Sequence, residues 1–307
     1  MNNLLPTIDD LKRYVKINAS IPYESVLPFI IDAMDIYLVP QIGQTLSDKA
    51  NEGKDAELTE RVCRSLGPLS LSLATDELGI QYGDSGITVD NIQGKRSPAN
   101  EAKIAAAKQN LFFRGMQALD RLLSYLSANP GKYPEYKEHE STFLHPTCYI
   151  RSALEFQEEG LVQIESSTLT YRTMLPTIRQ LQETTLVKIV PLDLANKLKE
   201  RDNLSSQEKV LLALIIRFLA NKTAEIYTSQ SSREQREAPG TPEFKPVIRP
   251  LYHDIGDTGN FFGRQADFYL RQLCEYIELN AEAFGITPSN GAMDFNTKER
   301  KVFTSII

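Results

Sequence analysis

The feature that most constrains this chain is a partial copy of itself. Leu27 to Leu78 aligns without a gap on Leu175 to Ile226 at a constant offset of 148, with 14 of 52 positions identical, against roughly 6% for unrelated chains of ordinary composition. Leu27 pairs with Leu175, Pro28 with Pro176, Ile30 with Ile178, Leu38 with Leu186, Val39 with Val187 and Leu46 with Leu194. The matches continue through Glu60 and Glu208, Val62 and Val210, Leu66 and Leu214, and Leu71 and Leu219, then Thr75 and Glu77 with Thr223 and Glu225. Many are apolar residues three or four apart, the period of a helix that buries one face. Helical period alone does not require the shared Pro, Thr and Glu, nor Tyr23 matching Tyr171 at the same offset. A small shift also lays Leu122, Tyr125, Leu126 and Asn129 on Leu273, Tyr276, Ile277 and Asn280. The expectation is a mainly α fold of two related helical-bundle domains from an internal duplication. Their boundary is expected near His145 and Pro146, where the chain after Asn129, Pro130, Gly131 and Pro134 loses its helical pattern. The domains are then 1–145 and 146–307.

Within the first copy, Thr7 and Asp10 stand at capping-box spacing before Leu11, Tyr14 and Val15, predicting a short helix over 8–15. A second helix is expected from Pro22 to Val39, with Pro28 in its first turn and Pro40 and Gly43 ending it. A short helix around Leu46 and one over 58–78 follow. Glycines at 83, 86 and 94, with Ile87, Val89 and Ile92 alternating, make 84–99 a hairpin-like excursion. The longest helix is expected over 100–127, with Ile104, Ala107, Leu111, Ala118, Leu122 and Leu126 on its buried face. In the second copy an extended stretch at 161–171 precedes helices over 175–190, 192–200, 206–227 and 265–279. Between the last two, 229–260 holds Ser231, Ser232, Pro239, Gly240, Pro242, Pro246, Pro250, Gly256 and Gly259. So many breakers predict a long irregular arm, and loops of that length are usually functional or ordered by a partner. The tail Val302, Phe303, Ile306 and Ile307 is more apolar than a free terminus.

Chemistry is sparse in the pattern. With 34 Lys and Arg against 40 Asp and Glu the formal charge is −6, which argues against a general nucleic-acid binder. The longest purely aliphatic run, Val210 to Ile216, is short for a membrane span, and the opening residues Met1 to Leu4 do not read as a signal peptide. Cys63, Cys148 and Cys274 are odd in number and far apart, and read as buried small hydrophobes rather than a disulfide framework. Glu138, His139 and Glu140 are adjacent and would point to different faces of a helix. His253, Asp254 and Asp257 make a better cluster for a divalent ion, though Asp in a Gly-rich arm is also ordinary turn chemistry. Gly256, Gly259 and Gly263 before a helix match neither a P-loop nor a dinucleotide fingerprint. No catalytic set, cofactor site or metal site is therefore expected. Arg233, Arg236, Lys245 and Arg249 give the arm positive charge, which either meets carboxylates of a protein partner or is simply solvated. With the four apolar tail residues they are the candidate partner-binding set.

The residues Leu11, Lys12, Tyr14, Val15 and Ile17, followed by Tyr37, Leu38 and Gly43, follow an "LK-x-YL-x-I" opening, with Val15 where the pattern has Leu, and a "YL-x-x-x-x-G" helix end. In these the first half resembles the head-tail connector (head-completion adaptor) proteins of tailed bacteriophages. The longer pattern, with Asp84 to Ile87 as "DSGI", Leu119 to Leu126 as "LDRLLSYL" and the second copy at Leu175, looks like a group of proteins of Bacteroidetes phages and prophages. The resemblance implies a structural virion protein, made in the host cytoplasm and located in the neck. Such a protein forms a homo-oligomeric ring between the portal protein and tail or neck proteins, without catalysis, specific nucleic acid or membrane. Duplication, Val15 in place of Leu and the arm depart from the simple adaptor. The alternative class is a non-catalytic helical scaffold or regulatory adaptor of a bacterial or prophage-encoded complex.

Overall fold

The computed structural model describes residues 4–18, 21–78, 80–83, 86–89, 101–143, 148–234, 244, 246–251 and 261–286. It is mainly helical, and the chain divides into two compact units. The first comprises Met1–His145, Ile164–Thr173 and Ser229–Val247; the second comprises Pro146–Gln163, Met174–Thr228 and Ile248–Ile307.

The first unit opens with α1 (Ile8–Lys12), where the Thr7 hydroxyl accepts the Asp10 N–H at 3.2 Å. A 3-10 turn at Tyr23–Ser25 leads into α2 (Leu27–Ala33), which has Pro28 in its first turn, as expected. The helix does not stop at Pro40. A π turn at Met34–Leu38 widens the backbone, and α3 (Val39–Ile42) then begins with Pro40 in its own first turn, where no N–H is needed. Gly43 ends it at φ +84, a conformation that side chains resist. Next come α4 (Gln44–Asn51) and α5 (Ala56–Ala74), the latter capped by the Asp55 carboxylate on the Leu58 N–H.

The hairpin starts earlier than expected, with β1 (Ile80–Gly83) antiparallel to β2 (Gly86–Val89) and Ile80 opposite Val89; residues 90–100 lie outside the described ones. Beyond it α6 (Glu101–Ala128) returns antiparallel along α5, since the Ser65 hydroxyl donates to the Gly115 carbonyl and that of Ser72 to the Lys108 carbonyl. Leu122 and Leu126 are buried, but Ile104 and Ala107 are exposed, so the first turns of α6 do not carry the expected core face. Contrary to the expectation of lost helix after Pro134, α7 (Pro134–Phe143) forms with that proline at its start, where its fixed φ favours the helix. Tyr133 and Tyr136, on either side of that start, are fully buried.

The second unit contains α8 (Ala153–Glu158), β3 (Val162–Gln163), α10 (Leu192–Glu200), α12 (Phe261–Leu279) and, up to Thr228, α11 (Ser206–Glu234). The expected extended stretch at 161–171 is only β3, because Leu161, Glu165 and Ser166 take positive φ and break the alternation. From Thr168 the chain is already helix α9 (Thr168–Thr184), with Pro176 inside it. The 29-residue α11 exceeds the 28-residue α6 as the longest helix, running six residues into the expected arm. The arm is not wholly irregular either. Phe244 packs on the first unit's core, and β4 (Arg249–Pro250) pairs with β3, placing Arg249 opposite Gln163.

Under the offset of 148, helix order agrees across the two stretches, and α4 shifted by 148 covers 192–199, where α10 is Leu192–Glu200. Ile30 and Ile178, Leu38 and Leu186, and Leu46 and Leu194 are buried in both, whereas Val62 is buried and Val210 is exposed. Asn129 donates to the Tyr125 carbonyl at 2.8 Å, and its counterpart Asn280 donates to the Tyr276 carbonyl at 2.9 Å.

Candidate functional site

Few of the residues singled out from the sequence fall among the described ones. Arg233 stands on the last turn of α11 and Arg249 on β4, exposed. Arg236, Lys245, Val302, Phe303, Ile306 and Ile307 lie outside the described residues, as do His253, Asp254, Asp257, Gly256 and Gly259. Gly263 is buried within α12 rather than feeding a phosphate loop. His139 sits against Gly43 and bonds the Pro40 carbonyl at 3.1 Å. Among the described residues no group of three or more His, Cys, Asp or Glu could hold a metal ion. Burial pushes the Cys63 thiol up to about 12, and it donates to the Leu4 carbonyl; burial likewise lifts Cys274 to about 11. Such thiols stay protonated and inert at neutral pH.

What the fold does assemble is an arginine-lined basin in the first unit, a depression of about 490 Å³ walled by α5, α6 and the turn after α1. Glu60, Arg64 and Pro68 recur every four residues on α5. Arg114, Gln117, Ala118 and Arg121 form an i, i+3, i+4, i+7 stripe on α6, so each set shares one helix face. Arg13 and Tyr14 close one end. The Tyr14 hydroxyl donates to Glu60 at 2.6 Å, and burial together with that carboxylate raises its pKa. Glu60 also takes Arg64 at 2.9 Å, Arg13 lies 3.6 Å from Asp10, and Arg114 donates to the Tyr14 carbonyl at 2.9 Å. Neither Arg114 nor Arg121 has a carboxylate partner among the described residues. The basin therefore keeps exposed guanidinium groups, whose planar forks suit carboxylate or phosphate oxygens. The i, i+7 spacing of Arg114 and Arg121 was readable in the sequence. The pairing of their helix with Arg64 across the hairpin excursion was not.

A second surface lies on α2 and the following π turn. Tyr23–Ile42 has a mean hydropathy of 1.4 over its most apolar window, of which only 28% is buried, and by length and composition it could cross a membrane. It holds no long aliphatic run, because its apolar residues are interrupted by Pro28, Asp32, Asp35 and Pro40. Ile31 and Ile36 are 47% and 56% exposed, flanked by exposed Asp32 and Asp35, which have no partner among the described residues.

Two buried anchors, both within the first unit, hold 164–173. The Asp120 carboxylate accepts the Leu169 N–H at 3.0 Å and caps α9, and burial raises its pKa against the pull of those N–H donors. Arg172, with a side chain 5% exposed, donates to the Gln41 carbonyl and side chain and to the Tyr136 hydroxyl, each at 2.9 Å, and lies 3.6 Å from Glu140.

Residues 24–142 match a family described as a family of unknown function, DUF6712, which spans less than half of the chain and falls within the first unit. No curated protein and no solved structure matches the chain.

Proposed function

We propose that this chain is a structural subunit of a tailed-phage head-tail connector, acting in a ring between portal and tail rather than as a catalyst. The motif residues carry the likeness: Leu11, Val15 and Leu38 are core, Tyr37 packs edge-on to Phe112 at 5.7 Å, and Gly43 ends α3. The observation that supports assembly is the under-buried helix Tyr23–Ile42, whose apolar face is left uncovered by the described residues. A membrane is a poor cover, because Asp32 and Asp35 would sit near mid-span, where carboxylates are costly. A neighbouring protein is a better one. In a ring each subunit presents one surface to the neighbour before it and another to the neighbour after it.

The test is localisation by cryo-electron microscopy of virions from a host carrying this gene, with an epitope-tagged chain for labelling. Density for the chain in the neck, in several copies around the axis, is the expected result. Virions that lack the chain, with the protein bound one-to-one to a soluble partner, would instead favour a regulatory adaptor.

A further inference from the structure

We propose that the surface formed by Ile31 and Asp32 of α2 and Asp35 and Ile36 of the following π turn in one copy docks on the basin of Arg13, Arg64, Arg114 and Arg121 in a second copy. This rests on the ring reading and supplies its subunit contact. The two patches use different residues, so one copy can offer its acidic face while its own basin receives a neighbour, which is the head-to-tail contact a ring requires.

Their chemistry is complementary. Asp32, on α2, and Asp35, on the π turn that continues it, are i, i+3 neighbours on one continuous helical run. Arg114 and Arg121 are two turns apart, about 10.5 Å, and long enough to converge on such a pair from both sides. Pro68 and Ala118 add apolar wall between the charges, suited to Ile31 and Ile36. A polyanion such as nucleic acid suits the basin less well. Glu60 lies among its lining residues, two of the four arginines already face Glu60 or Asp10, and the chain as a whole carries −6.

The experiment is sedimentation velocity over a wide concentration range on the full chain, on R114E/R121E, on D32K/D35K and on an equimolar mixture of the two variants. Wild type is expected to associate, and each variant alone to do so at least about tenfold more weakly. The mixture should recover, because every contact in an alternating assembly is then again between opposite charges. Circular dichroism melting checks that the variants fold; if the double variant does not, R121E alone alters an exposed side chain and serves in its place. Variants that associate like wild type overturn the proposal, as does loss of association that mixing fails to restore. Wild type that stays monomeric yet binds the portal protein overturns this contact and leaves the ring reading standing. Wild type that does neither removes both.

Discussion

Asp55 both caps α5 and anchors a cluster of ring hydroxyls and cations. It accepts the Leu58 N–H, the Tyr133 hydroxyl at 2.9 Å and the Lys132 ammonium at 3.0 Å. Burial opposes its ionisation, but these donors outweigh it and hold the carboxyl at about 2. The folded pKa is thus below the unfolded value of about 3.9, so the stabilisation is complete above about pH 5 and is lost as pH falls toward 2. Asp55→Asn is expected to flatten the acid limb of a stability-against-pH curve measured by urea unfolding, and Asp55→Ala to cost about 1 kcal/mol at pH 7 through the lost cap. An unchanged acid limb would show that Asp55 is not the titrating group. Arg172 is the other residue on which much depends. Arg172→Ala strips donors from the Tyr136 hydroxyl and Gln41 inside a closed site and leaves Glu140 without its cation, an expected loss of about 3 kcal/mol in denaturant unfolding. A loss under about 1 kcal/mol would mean that water replaces it. Arg172, and the role of Asp55 beyond its local cap, were not legible in the sequence, because Gln41, Tyr136, Tyr133 and Lys132 lie far from them along the chain.

At the scale of elements, the helices were legible wherever one apolar face repeats. The 192–200 helix and the proline-started α2 emerge from the pattern alone. Failures came from backbone detail that pattern does not encode. These include the π turn that admits Pro40, the left-handed residues at 161, 165 and 166, and the helical start at Pro134. The basin was missed because it needs α5 and α6 side by side. Their close approach depends on Gly115, where a Cβ would come within 2.5 Å of the Leu69 side chain and 3.2 Å of its backbone nitrogen. Gly115→Ala should therefore destabilise by about 1–3 kcal/mol in chemical denaturation and distort the basin wall; a neutral effect would mean that the two helices can part freely. The duplication makes its own prediction. Experimental coordinates for 27–78 should superpose on 175–226 with helices in the same order and hand, Pro28 opening its helix while Pro176 lies within one. A different hand in the second stretch would reject a common origin.

At the scale of the whole molecule, the chain pairs a well-filled core in its first unit with surfaces that the described residues leave uncovered. An exposed isoleucine face, with carboxylates that have no partner among the described residues, and a basin of exposed guanidinium groups are both features of a part made to be joined to others. The connector reading adds what it is joined to. Native mass spectrometry of the full chain mixed with the portal protein encoded in the same genome tests that most directly. The account predicts one discrete complex containing a fixed, multiple number of copies of this chain, as a closed ring demands. A complex with a single copy, an open-ended ladder of sizes, or no complex at all would contradict it.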